Sequence, residues 1–153
     1  MSRAFTKEPD GQELDELPER PVSSHRNLVT PRGLQLIEDR MRELRAAASS
    51  ARAAADRAAL ASAERDLRYW TQRLASAELV PVATCGDTVR FGCEVTVDID
   101  GKEQTYVIVG EDESEPKAGR ISYVSPIASA LLGCRVGDVV RLGASAVEIT
   151  AIQ

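Results

Sequence analysis

Few residues in this chain of 153 are equipped for chemistry, and those few are scattered. One histidine, His25, sits in a polar segment, and the three cysteines, Cys85, Cys93 and Cys134, include no Cys-x-x-Cys pair. A structural zinc site takes four nitrogen or sulfur ligands at short, recurring spacings. This set does not supply them, so no bound metal and no other cofactor is expected, and the thiols are expected to be reduced and structural. A Ser-His or Cys-His catalytic pair would have to recruit His25, which lies outside any segment that reads as folded. What remains is carboxylate. Asp56, followed by Arg57, falls where the pattern places a turn between two helices, and its side chain suits a helix N-cap. A second group, Glu111-Asp112-Glu113-Ser114-Glu115, reads either as a solvated loop or as a docking surface.

The element that presents Asp56 is the stretch 30–80. Its apolar residues fall at Leu34, Ile37, Met41, Leu44, Ala48, Ala51 and Ala55, in alternating steps of three and four. A second run, Leu60, Ala63, Leu67, Trp70, Leu74 and Ala77, has the same spacing out of phase with the first. Two helices with one seam each account for this better than a single rod. The two runs mirror one another about 55–56: Leu34 faces Ala77, Ile37 faces Leu74, Met41 faces Trp70 and Leu44 faces Leu67. The spacing thus predicts an antiparallel two-helix hairpin, thick at its base and alanine-thin at its tip. Thr30 as N-cap and Pro31 at the first helical position start it. The outer arginines, Arg40, Arg45, Arg52, Arg57, Arg65, Arg68 and Arg73, are expected to solvate the helices.

Before the hairpin, residues 1–29 hold six acidic and four basic side chains with sparse apolar ones, the composition of a disordered arm. After Pro81 the period changes to two. Glu94 to Ile99, an Asp100-Gly101 turn and Gln104 to Val109 read as a β-hairpin. A third strand fits Gly119 to Val124, and a short helix from Ile127 to Leu132 is capped by Ser125-Pro126 and closed by Gly133. Val139 to Leu142 and Ala146 to Ile152 complete five strands. Residues 81–153 are thus expected to form a small antiparallel sheet domain with one helix, and the whole chain to be α+β.

Charge narrows the partners. The net charge is −5, with nine basic and seven acidic residues in 30–80 but six basic and eleven acidic in 81–153. An acidic globule is a poor direct binder of phosphate backbones, so a protein partner is expected. There is no run of about 18 apolar residues and no signal-peptide core, so a cytoplasmic protein without membrane contact is expected.

The C-terminal residues carry a family likeness. Phe91-Gly92-x-x-Val95, Tyr106-x-Ile108-Val109-Gly110-x-Asp112-Glu113, Gly119-x-Ile121-Ser122, Ser125-Pro126-Ile127-Ala128-x-Ala130-Leu131-Leu132-Gly133 and Val136-Gly137-Asp138-x-Val140 resemble, in order and spacing, the C-terminal domain of the bacterial Gre transcription elongation factors (GreA/GreB). The hairpin opening Val29-Thr30-Pro31-Arg32-Gly33-Leu34 is similar too, so the likeness covers roughly 28–153. The resemblance implies an FKBP-like C-terminal domain that grips core RNA polymerase at its secondary channel. The docking residues would be Ser125, Pro126, Ile127 and Ala128, with Asp112 on a second surface. It also implies a hairpin that enters the channel, so that nucleic acid is met only indirectly. The aromatic residues of the sheet domain, Phe91, Tyr106 and Tyr123, are too few to line a prolyl isomerase pocket, and fold does not carry activity with it.

The likeness fails at the tip. Members of the family present two acids there, in Gly-Asp-x-x-Glu-Asn, which help hold the polymerase's second Mg2+ and activate water to cleave backtracked RNA. Here the tip reads Ala55-Asp56-Arg57-Ala58-Ala59-Leu60. Asp56 matches the first acid, and Ala59 replaces the second. One carboxylate leaves a hard cation under-coordinated, which makes Asp56 a weak metal candidate. Each arm is also shorter than a cleavage factor's by about two turns, on the order of 10 Å. The expectation is a monomeric, non-enzymatic elongation regulator that does not stimulate cleavage. The alternatives are a genuine cleavage stimulator and an interaction or chaperone module unrelated to transcription.

Overall fold

A computed structural model describes residues 17–82 and 84–153. Helix α1 spans Pro31–Ala53 and helix α2 spans Arg57–Ser76. Thr30 caps α1, its hydroxyl accepting from Gly33 N at 2.9 Å. The chain reverses at Ala55, which adopts a positive φ of 53°, and Asp56 caps α2. The reversal sits where the two apolar runs mirror each other. At the base, Ile37 and Met41 are buried with Val29, and Leu34, Trp70, Leu74 and Ala77 pack on them. Toward the tip only alanines, Ala48, Ala51 and Ala63, are buried. Methyl groups bury little area, and at about 25 cal/mol per Å2 the distal half gains little from its seam.

The C-terminal end of the expected arm is paired into the fold. Strand β1, Asn27–Val29, pairs in parallel with β2, Ala77–Leu79, directly after α2. Upstream of β1 the chain lies along α2. Arg20 stacks on the Tyr69 ring, 3.9 Å from its centroid, and Glu19 accepts from Arg68 at 2.6 Å. Contacts fifty residues apart hold this segment, so its own composition gave no sign of them. Residues 1–16 of the expected arm lie outside the described residues.

The sheet domain has five strands: β3 (Glu94–Ile99), β4 (Lys102–Val109), β5 (Arg120–Ser122), β6 (Val139–Leu142) and β7 (Ser145–Ile152), in the order β5-β4-β3-β7-β6. The sheet is mixed rather than antiparallel, because β4 and β5 run parallel. The chain leaves β4 through two 3-10 turns, 111–113 and 116–118, and returns to the same edge instead of closing a hairpin. Val95, Val97, Ile108, Ile121, Val147 and Ile149 form the core with Ala128 and Leu131 of α3, Pro126–Leu131.

The thiols are not all reduced. Cys85, in the segment leaving the hairpin, is joined to Cys93 at the foot of β3, and Cys134 remains a free thiol. A turn closed by Cys93 N on Arg90 O brings the pair to a Cα separation of 5.8 Å, within bridging range.

Candidate functional site

The hairpin tip carries little that could act on a substrate or a cation. Asp56 Oδ1 accepts from Ala59 N at 3.0 Å, so the carboxylate satisfies an otherwise orphaned helical amide. Arg57 follows it, exposed, and Ala58 and Ala59 are exposed as well. The next acid along α2, Glu64, is two turns on and pairs with Arg52 at 3.2 Å. Among the described residues, no group of three or more His, Cys, Asp or Glu side chains is placed to hold a metal ion.

The acidic run does something the sequence did not suggest: it joins the two halves of the molecule. Gly110 approaches β1 so closely that a Cβ there would lie 2.3 Å from Leu28 O. Glu113, buried, accepts from the Thr30 hydroxyl and pairs with Arg32 at 3.1 Å. Its carboxylate thereby sits at the positive end of the α1 dipole. Gly33 makes room for it, since a Cβ at that position would lie 2.8 Å from Glu113 Oε2.

Asp112, a docking candidate from the sequence, is committed inward. It accepts from Arg73 Nε at 2.5 Å and from the Tyr69 hydroxyl at 3.1 Å. Arg73 is 1% exposed and also donates to Asn27 Oδ1 at 2.6 Å. It is not the solvating arginine its helical position implied, because its partners come from β1 and from the 3-10 turn. Burial, reinforced by the Asp112 charge, raises the Tyr69 phenol above its ordinary value. Tyr123, whose hydroxyl donates to Arg26 O, is likewise raised by burial and by Glu111.

The third group, at the start of α3, is built as a cap. Ser125 Oγ accepts from Ala128 N at 3.3 Å, and Pro126 occupies the first turn, exposed. Ile127 packs partly against the sheet core, and Ala128 is fully buried in it. The structure therefore removes Ala128 from the set able to touch a partner directly and leaves Ser125, Pro126 and the outer part of Ile127. Tip, junction and α3 cap are three separate places, not one pocket.

The sequence profile described as "Transcription elongation factor, GreA/GreB, C-term" matches residues 83–153, the whole sheet domain. That domain is a member of the GreA/GreB family. Curated relatives of the GreA/GreB domain include the transcription elongation factor GreA of Thermomicrobium roseum, 46% identical over 78 residues, covering 50% of each chain. The GreA of Hyphomonas neptunium is 49% identical over 77 residues, covering 48% of this chain and 49% of that one. The chain thus spans about half the length of the curated relatives it matches. Among solved structures, Gfh1 of Thermus thermophilus gives a TM-score of 0.41 at 20% identity, over 84% of this chain and 99% of that one. A GreA/GreB factor of Nitrosomonas europaea gives 0.41 at 21%, over 83% and 98%.

Proposed function

We propose that the protein is a transcription elongation regulator that binds core RNA polymerase through its GreA/GreB domain and places the short hairpin in the mouth of the secondary channel, without stimulating RNA cleavage. The observation that carries this reading is the tip, where the single carboxylate, Asp56, is spent on capping α2. A lone carboxylate beside a guanidinium binds a divalent cation weakly, so a polymerase-held Mg2+ gains little from it. The factor itself performs no reaction, works in the cytoplasm with the polymerase and meets nucleic acid only through the elongation complex.

Docking falls to Ser125, Pro126 and the exposed edge of Ile127. Asp112 supports it from behind by fixing the junction. Pro126 is the clean position to perturb, because it is exposed, whereas Ile127→Asp would also charge the core edge. Pro126→Asn should weaken binding to core polymerase at least tenfold with the fold unchanged. In a stalled-complex assay the wild type should leave backtracked transcripts intact and compete with an authentic cleavage factor, and Asp56→Ala should compete equally well. Mg2+-dependent shortening of transcripts by the wild type, lost in Asp56→Ala, would instead establish a cleavage stimulator.

A further inference from the structure

The Cys85–Cys93 disulfide lies where the hairpin hands the chain to the sheet domain. Its two sulfurs are not equivalent. Cys93 is 1% exposed, and its backbone is held on both sides. Its N–H donates to Arg90 O at 3.1 Å, and its carbonyl accepts from Ile108 N at 3.0 Å. Cys85 is half-buried among exposed neighbours, Thr84, Gly86 and Asp87, and packs against the sheet core. It lines two surface cavities, one of about 260 Å3 shared with Arg90, Phe91 and Cys93 and one of about 610 Å3 shared with Val82 and Gly92. A Cβ at Gly86 would meet nothing within 4 Å, so the chain beside Cys85 has open space around it.

Backbone hydrogen bonds anchor the chain on either side. Val80 N donates to Val29 O at 2.9 Å in the hairpin base, and Val89 N donates to Cys134 O at 2.8 Å in the sheet domain. With the disulfide intact, five residue steps, Val80 to Cys85, lead from the hairpin's anchor to a fixed point on the sheet. Without it there are nine, Val80 to Val89. In a reducing compartment disulfides are rare, and those that form are transient or redox-sensing. We propose that Cys85–Cys93 is a reversible redox site, opened by a low-molecular-weight thiol and closed by the corresponding disulfide, whose state sets how firmly the hairpin's exit is fastened to the sheet domain. This rests on the cytoplasmic setting of the proposed function. A thiolate attacks Cys85 Sγ, the reachable sulfur. The S–S bond breaks and its electron pair leaves on Cys93, which takes a proton. A second thiolate then attacks the incoming sulfur of the mixed disulfide and releases Cys85, which takes the second proton. Two thiols become one disulfide while the protein's disulfide becomes two thiols. Arg90, on the same cavity, puts a positive charge beside the path of an anionic thiol. Reduced Cys93 stays in the core as a small apolar side chain, so the segment that comes loose is 84–87.

The test uses the full chain alone, so its outcome is independent of polymerase binding. Oxidised protein is held in a glutathione buffer poised at the reducing level of the cytoplasm, acid-quenched, unfolded, alkylated and mapped by peptide mass. Cys85 and Cys93 should be reduced together, and the glutathione adduct trapped on the way should sit on Cys85. Excess glutathione disulfide should restore the bond. Backbone order parameters of 84–87 should fall from about 0.85 to below about 0.6 on reduction, with Val95 and Val97 unmoved. Cys85→Ser should reproduce the values of the reduced wild type, and Cys134→Ser should leave the exchange as it is. A bond that stays closed in the reducing buffer overturns the proposal and assigns the link to structure. Adducts on Cys93 before Cys85 overturn the route of attack, and order parameters unchanged by reduction overturn the fastening.

Discussion

Replacing Arg73 by Met is the sharpest test of how the hairpin is held to the sheet domain. Met keeps much of the arginine stem's volume and removes only the charged, hydrogen-bonding head. The head sits in a site 1% exposed, and it donates to Asp112 at 2.5 Å and to Asn27 at 2.6 Å. Without it, the Asp112 carboxylate, 12% exposed at the side chain, keeps only the Tyr69 hydroxyl as a donor from a side chain. Removing one partner of a buried pair costs about 3–5 kcal/mol, because the other charge stays desolvated. Against a total stability of about 5–15 kcal/mol this is about a fifth at least, and most of it for a marginal domain. The assay is urea unfolding followed by fluorescence of Trp70, the sole tryptophan, on the helix that carries Arg73. Asp112→Leu in the Arg73→Met background should be milder than the two single losses added together, with a coupling of at least about 1 kcal/mol. A loss below about 1 kcal/mol for Arg73→Met, or additivity within about 0.5 kcal/mol, would refute the junction as described.

Other outcomes follow from the same structure. Gly110→Ala drives a methyl to 2.3 Å from the Leu28 carbonyl, which is backbone and cannot step aside, so it should cost about 3 kcal/mol; a loss under about 1 kcal/mol would mean that β1 is not anchored there. Tyr69 and Tyr123 hold their protons above the usual phenol range near 10. The native state therefore binds more protons than the unfolded one in that window, so this contribution to stability is complete below about pH 10 and declines as pH rises through the folded-state values. A phenolate absorbance titration should show two late-titrating tyrosines, and Tyr69→Phe should remove one of them. Thiol titration of the unfolded protein should find one free thiol, Cys134, in the oxidised form and three after reduction; three without reductant would remove the Cys85–Cys93 link.

What the sequence revealed depended on whether the cause was local. The hairpin and its reversal at Ala55 follow from two apolar runs that mirror each other, and the β3–β4 turn follows from Asp100-Gly101, where both residues take positive φ. The cap of α3 was legible in Ser125-Pro126 for the same reason. Arg73 was not, since its burial depends on Asn27 and Asp112, 46 and 39 residues away. The acidic run read as a solvated loop or a docking surface because it is dense in charge, yet Glu113 is buried by Thr30 and Arg32 from the far side of the chain. The parallel pairing of β4 with β5 was hidden likewise, because two short 3-10 turns replace the hairpin that adjacency in sequence suggests. Gly33 and Gly110 entered the sequence reading only as parts of the family pattern, and each holds space for a group from another element.

The junction also has a mechanical side. α1, at 23 residues, is a rod of about 34 Å, clamped at one end by Thr30, Arg32 and Glu113 while Arg73 and Asp112 brace its partner helix. A lever of that length magnifies errors at its pivot: about 5° of play at the base swings the far end by roughly 3 Å, about the length of one hydrogen bond. Spending two carboxylates and two glycines on a few residues of hinge is therefore how the protein aims a point on the opposite side of the molecule. A substitution that leaves Asp56 and Arg57 untouched but loosens Glu113 should blur where they are delivered.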